Sequence, residues 1–292
     1  MLLNHHNNSA TGIEPLAFRI YNANTFEQID QLRYLSAEER FNIRVVAQVL
    51  PFRVNQYVVD ELIDWDDAPD DPMFRLVFPQ PEMLAPEHFA RIAKLLHAGA
   101  EKAVVQEAAR EIQAELNPHP AGQTTHNRPR IGNEYLQGAQ HKYRETLLFF
   151  PSQGQTCHSY CTFCFRWAQF VDNKDLRIAT REVETLHEYL QSHEEISDLL
   201  MTGGDPMVMK TSLLAQYLLP LTDPEFEHIQ TIRIGSKSLT FWPYRFVTDP
   251  DADELLELLS ELVQRGKHVA FMAHFTAAAK VFAAVFGGET QM

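Results

Sequence analysis

Cysteine is scarce in this chain. Its 292 residues hold three, all within Cys157-His-Ser-Tyr-Cys161-Thr-Phe-Cys164. A disulfide framework wants an even count in a short secreted chain, and structural thiols scatter through a core as small hydrophobes. A single crowded group of three fits neither. Basic charge is also short: 25 Lys and Arg against 39 Asp and Glu leave a net charge of −14. No basic excess is available to meet nucleic-acid phosphate or an anionic membrane surface, so neither is expected as a partner. Apolar runs stay below the roughly 18 residues that a membrane-spanning helix needs. The opening Met1-Leu-Leu-Asn-His-His-Asn-Asn lacks the charged-then-apolar build of a signal peptide. Thiols available to a metal need a reducing compartment, and the expected location is cytoplasmic. What remains is an ordinary globular composition, 45% hydrophobic and 22% charged, long enough for one large α/β domain or two smaller ones.

Read in order, residues 1–24 form a loose leader. From Thr25 the text turns helical, with Phe26, Ile29, Leu32 and Leu35 at helical spacing. Ser36 with Glu39 three residues on predicts a capped helix from Ala37 to about Val49, closed by Pro51. A further helix is expected over Arg53–Ile63. The acidic stretch Asp64–Pro72 lacks the glycine and terminal glutamate of a calcium loop and reads as a solvated linker. Residues 86–116 form an amphipathic helix or helix pair with its break at Gly99, ended by Asn117-Pro-His-Pro. His119, His126 and His141 read as surface or core polar residues more readily than as ligands, and no site is assigned to them.

From Glu145 onward, strands alternate with helices: Thr146–Phe150, Asp198–Thr202, Thr231–Ile234 and His268–Phe275 as strands, Glu182–Ser192, Leu213–Leu219 and Asp251–Arg265 as helices. That alternation predicts a parallel sheet with its chemistry on the loops at the strand C-termini. Those loops carry the cysteines, Gly203-Gly204-Asp205 and Gly235-Ser236-Lys237. Four strands leave the sheet with a raw edge.

Three thiolates this close can converge on one metal centre. Their odd number leaves one iron of an iron–sulfur cubane without a protein ligand, open to a small molecule. The rival arrangement is a structural zinc site completed by His158 or a distant histidine, although zinc usually takes paired knuckles and no second one exists here.

The spacing resembles the CxxxCxxC signature of radical S-adenosylmethionine (SAM) enzymes. Over roughly Thr25 to Phe275 the chain resembles the lysine 2,3-aminomutase-like branch of that superfamily. The blocks that carry the resemblance are Cys157–Arg166, Met201–Pro206 in place of the family's Ser-Gly-Gly-Asp, Ile232–Ser238 resembling Ile-Gly-Ser-Arg, and His274-Phe275, with the Asp-Asp-Pro turn near Asp70 and its preceding helices. The resemblance implies an α/β fold, a partial (β/α) barrel of radical SAM type over 141–275, behind a helical N-terminal region over 25–140, with an atypical tail over 276–292. It implies a [4Fe-4S] cluster on Cys157, Cys161 and Cys164, whose open iron chelates SAM and whose electron cleaves it to a 5′-deoxyadenosyl radical. Phe163 would pack near the adenine or simply beside the cluster. Gly203 and Gly204 would admit the methionyl end of SAM, held by Asp205, with Ser236 and His274 as further cofactor contacts. Arg166 would pair with the substrate carboxylate, or form a surface ion pair.

For the intact family the resemblance implies a 1,2-amino shift on an amino acid held as an aldimine of pyridoxal 5′-phosphate, a reductant such as ferredoxin or flavodoxin, and an oligomeric state left open to a homo-oligomer. Several departures stand out. The family's pyridoxal lysine lies in a glycine-rich segment beyond the fourth strand, which this sequence lacks, and Lys280 in its Ala-rich stretch does not replace it. Thr276-Ala-Ala-Ala follows where the family has Asn/Ser-His-Pro, so the C-terminus reads as truncated or frame-shifted. Thr146 stands where the family has a cofactor-binding arginine, and period-two alternation would put Arg144 on the same face. Cys-Phe-Arg-Trp replaces the Arg-rich tail of lysine-specific members, which leaves the substrate amino acid open. The alternatives are a radical SAM protein with pyridoxal-independent chemistry and an inactive cluster- or metal-binding fragment.

Overall fold

A computed structural model describes residues 13–116, 122, 126–171 and 178–276. They sort into two units: one draws on 19–126 and 157–171, the other on 13–18, 127–156 and 178–275. The cysteine loop therefore folds with the N-terminal part of the chain, not with the strands that flank it in sequence.

In the first unit, β1 (Ile20–Asn22) pairs antiparallel with β2 (Arg53–Asn55). Between them, α1 (Ala37–Val49) starts at the predicted cap: the Ser36 hydroxyl accepts from the Glu39 N–H at 3.1 Å, and the Glu39 carboxylate accepts from the Ser36 N–H at 2.6 Å. Ser36→Ala is expected to cost about 1 kcal/mol, read as a lower urea midpoint at an unchanged slope. After β2 come α2 (Pro72–Val77), capped by the Asp71 carboxylate, then α3 (Pro86–His97) and α4 (Lys102–Glu115). Gly99, at φ +62°, makes the break between the last two. Val45, Val46 and Val49 of α1 pack on Ile92 of α3 and on Ala108, Ala109 and Ile112 of α4, with Trp167 laid against them.

Two expectations are corrected in this unit. Arg53–Ile63 is not one helix: β2 leads into a π-helical turn over Val58–Leu62. Burial of Phe52 and Val54 on either side of Arg53 is a strand period too short to compete with the helical text around it. The leader is likewise not loose throughout, since Ile20–Asn22 is the strand that pairs with β2. Phe26, Ile29, Leu32 and Leu35 are all buried as expected, but Phe26 and Leu32 sit on two 3₁₀ turns and Ile29 and Leu35 are the extended residues that end them.

The second unit begins with the hairpin of β3 (Arg130–Ile131) and β4 (Glu134–Tyr135). A five-stranded sheet follows in the order β5 (Ala139–Tyr143), β6 (Thr146–Phe149), β7 (Asp198–Met201), β8 (Thr231–Ser236), β9 (His268–Ala273), antiparallel at the first pair and parallel thereafter. The α/β expectation holds at this level. Leu147, Phe149, Leu199, Met201, Ile232 and Ile234 alternate into one core with α5 (Val183–Gln191), α6 (Thr211–Leu218) and α8 (Ala252–Gln264); α7 (Ser238–Phe241) follows β8 directly. Along β6 to β8, Leu148, Leu200 and Arg233 are only half-buried, and the Arg233 guanidinium and the Thr146 hydroxyl both bond Asp198. β5, whose polar Ala-Gln-His-Lys-Tyr text did not announce a strand, pairs beside Thr146–Phe149 and makes a fifth strand, while β9 stands at the other end of the sheet. Arg144 stands in the turn between β5 and β6, exposed beside Glu145, so alternation does not carry it onto the face of Thr146. Lys280 and His119 lie outside the described residues, as do the first 12 residues of the leader and 277–292 of the tail. Among the described residues no helix is long and apolar enough to cross a membrane.

Candidate functional site

The cysteine loop is irregular, with bends at His158 and Ser159 and a turn from Cys161 to Cys164, so much of its backbone must find hydrogen-bond partners elsewhere. It finds them in the first unit. The Tyr160 N–H donates to the Arg53 carbonyl at 2.8 Å, and the Thr162 N–H to the Leu76 carbonyl at 2.8 Å. The Thr162 hydroxyl donates to the Arg75 carbonyl at 3.0 Å. Asn55, fully buried, donates its backbone N–H to Ser159 Oγ at 3.1 Å and its side-chain amide to the His158 carbonyl at 3.3 Å. The stretch between Cys157 and Cys161 is thus held by a strand about a hundred residues earlier, with Tyr160 stacked on Phe170.

Cys157, Cys161 and Cys164 are half-buried and none is in a disulfide. Among the described residues, no three His, Cys, Asp or Glu side chains stand within reach of one ion. The donor set nonetheless fits an iron–sulfur cluster by its chemistry: soft thiol ligands, three in number, on one anchored loop. Cys161 and Cys164 line a cavity of about 300 Å³ with Leu50, Met83, Phe163 and Trp167. Phe163 is 59% exposed and Phe165 68%. Rings this open beside two thiols are not serving as core. Arg166, by contrast, is buried. Burial pushes its guanidinium down to about 10, while Cys164 and Cys157 hold it up, so the side chain stays a cation near neutrality. Arg53 is shifted downward by burial too, against the charges of Tyr160 and Cys157. Two cations therefore accompany the thiols.

In the second unit, the glycine turn closes β7. Gly203 has φ +145°, a conformation open in practice to glycine. Gly204 meets the chain ahead of the cysteines: a Cβ there would lie 2.1 Å from the Thr156 carbonyl oxygen. Its N–H donates to the Gly154 carbonyl at 3.2 Å, and the Asp205 N–H donates to the Thr156 carbonyl at 2.7 Å. The Asp205 carboxylate is buried and accepts from the Met207 N–H at 2.9 Å, Ser236 Oγ at 2.7 Å and the Lys237 N–H at 2.9 Å. Ser236 is also buried and bonds Ser238 at 2.6 Å. The His274 N–H donates to the Ser236 carbonyl at 3.0 Å. The imidazole of His274 is lowered from its ordinary value, by burial and then by Lys237.

The strand ends thus bring Gly203, Gly204, Asp205, Ser236 and His274 together. Their division of labour is new. Asp205 and Ser236 face each other and bind the β7 and β8 turns into one piece, whereas His274 remains on the surface. Asn55 and Thr156 were not foreseen. An asparagine in the apolar run Phe52-Arg-Val-Asn-Gln-Tyr-Val-Val was the one available signal, because a buried amide needs partners.

No protein-family model matches the chain. An Aquifex aeolicus protein named "Putative L-lysine 2,3-aminomutase" is 32% identical over 240 residues, 82% of this chain and 52% of that protein. An L-lysine 2,3-aminomutase of Methanococcus maripaludis is 30% identical over 112 residues, 38% of this chain and 24% of the relative. A glutamate 2,3-aminomutase of Clostridioides difficile is 29% identical over 122 residues, 41% of this chain and 28% of the relative. The chain spans about half the length of the first of these and less of the others. With its CxxxCxxC loop and glycine turn, it belongs to the lysine 2,3-aminomutase-like family of radical SAM proteins.

Proposed function

We propose that this chain holds a [4Fe-4S] cluster on Cys157, Cys161 and Cys164 and takes SAM at the turn Gly203-Gly204-Asp205, in service of a 2,3-aminomutase-like reaction on an amino acid. The observation that carries the proposal is the anchored loop holding every thiol of the protein. A cluster bound there supplies the electron that cleaves SAM to methionine and a 5′-deoxyadenosyl radical. The loop presents three soft ligands and no fourth. Arg53 and Arg166 offset the negative charge gathered on the thiolates, and Arg166 is the proposed partner of a substrate carboxylate. The exposed ring of Phe163 offers a face to adenine. Gly203 and Gly204 let backbone approach the methionyl group, with Ser236 and His274 at the same strand ends. An amino-acid substrate follows from relatives named for lysine and glutamate. Pyridoxal phosphate and an electron donor such as ferredoxin or flavodoxin are proposed from the family alone, and no residue described above is assigned to either.

The sheet supports a partial (β/α) barrel. From β6 to β9 every parallel crossover steps to the next strand in the same direction. Parallel crossovers are right-handed in nearly all proteins, and crossovers stepping one way with that hand put successive helices on one side of the sheet, the arrangement of a barrel wall.

The test is anaerobic reconstitution with iron and sulfide, reduction with dithionite and addition of SAM, with 5′-deoxyadenosine followed by chromatography. About four iron and four sulfide per chain and deoxyadenosine formation are expected, both lost in Cys161→Ala. One zinc without sulfide would overturn the cluster assignment. A full cluster with intact SAM would overturn the SAM assignment. Shifted amino acids in product analysis would support the aminomutase reading over pyridoxal-independent chemistry.

A further inference from the structure

We propose that Arg245, which no sequence motif singled out, is the positioning residue that fixes the glycine turn for SAM; this rests on the reading that the turn is the SAM site. Arg245 is 3% exposed. Its Nε donates to the Met207 carbonyl at 3.0 Å, and its Nη2 to the Met209 carbonyl at 3.2 Å and to Thr211 Oγ1 at 3.0 Å. The same guanidinium forks onto Asp251 at 2.8 and 3.2 Å. Asp251 is fixed in turn by the Thr211 N–H at 2.7 Å, and the Thr211 hydroxyl donates to the Asp251 carbonyl at 3.1 Å. Burial alone would raise the Asp251 carboxyl, but the Thr211 hydrogen bonds and the Arg245 charge outweigh it and hold it below the usual range.

The geometry matters because of where those carbonyls stand. Pro206–Val208 is a single 3₁₀ turn, too short to hold itself. Met207 is gripped from both sides: its N–H by the Asp205 carboxylate at 2.9 Å, its carbonyl by Arg245 at 3.0 Å. Asp205 ties the turn to β8 through Ser236 and Lys237. Arg245 ties it to the segment between β8 and α8. With both ties in place, Gly203 and Gly204 have one position. With Arg245 removed, the turn keeps Asp205 but loses the brace on its far side, and two buried carbonyls lose their donor. A lysine supplies charge but not the planar fork that serves Asp251 and two carbonyls together.

The test uses Arg245→Lys and Asp251→Asn in the cluster-loaded full chain, with three readouts. Iron and sulfide content should match the parent, because the thiols belong to the other unit. The dissociation constant for SAM, from equilibrium dialysis, should rise about 10- to 100-fold. Amide hydrogen exchange should quicken at 203–209 and stay unchanged in β6 and α5. A folded variant with unchanged SAM affinity and unchanged exchange at 203–209 would overturn the proposal. So would a lower melting temperature and faster exchange throughout the unit with SAM affinity intact, since that is what a merely structural arginine gives. If the parent itself binds no SAM, the functional reading fails, and the exchange at 203–209 still decides whether Arg245 holds the turn.

Discussion

Gly204→Ala is expected to eliminate SAM binding and deoxyadenosine formation, and to lower the melting temperature of the protein. The added Cβ would lie 2.1 Å from the Thr156 carbonyl oxygen and 2.5 Å from that residue's carbonyl carbon and nitrogen. All three atoms are backbone, so no rotamer change relieves the collision. The Thr156 carbonyl is also committed to the Asp205 N–H at 2.7 Å. Moving it breaks the bond that seats the turn, and Thr156 leads directly into Cys157. Overpacking of this kind typically costs about 1–3 kcal/mol, and here the displaced atoms are those of the proposed site. Gly203→Ala provides the contrast. Its Cβ would meet the Gln155 side-chain nitrogen at 2.0 Å, the far end of a side chain that can swing away. What remains is the backbone strain at φ +145°, on the order of 1–3 kcal/mol. Differential scanning calorimetry with SAM dialysis checks both variants. An alanine at 204 that binds SAM like the parent would sink the assignment of this turn.

That contrast shows what the sequence could and could not carry. Two glycines before an aspartate read as a turn because glycine's freedom is a local property. Ser36 and Glu39 announced α1, Gly99 split α3 from α4, and Gly266, at φ +92°, ends α8, each through a signal within a few residues. Four apolar runs gave β6 to β9. The elements that escaped share a different cause. β1 and β2 are three-residue strands that exist only because they pair across some 30 residues of intervening chain. β5 is a polar strand kept in place by its neighbour, with the His141 imidazole bonded to Tyr189 at 2.7 Å. Within the site, the cysteine spacing was legible and its support was not. Arg53, Asn55 and Leu76 hold the loop through contacts about a hundred residues apart, and Asp205 meets Ser236 and Lys237 across a helix. Such partners are set by tertiary packing, to which hydrophobic periodicity is blind.

Asn55→Leu is expected to release the cysteine loop and with it most of the bound iron. The substitution nearly preserves volume and leaves an apolar side chain in a fully buried position, so a packing defect is not the expected cause. What it removes is the amide: Oδ1 accepts from the Val58 N–H at 3.0 Å, and Nδ2 donates to the His158 carbonyl at 3.3 Å. Depriving two buried backbone groups of a partner costs about 1–3 kcal/mol each. One of those groups lies between Cys157 and Cys161, so the loss falls on the segment that must present the thiols. Asn55→Asp separates the two bonds, because it keeps an acceptor for Val58 and sets a carboxylate against the His158 carbonyl. Both variants should reconstitute with less iron per chain after desalting, the aspartate at least as poorly as the leucine. Ser36→Ala supplies the control, since it weakens the same unit at α1 without touching the loop and should keep its iron. If Asn55→Leu loses stability yet retains the parent's iron, the loop holds its shape without β2, and the anchoring role assigned to the N-terminal unit is wrong.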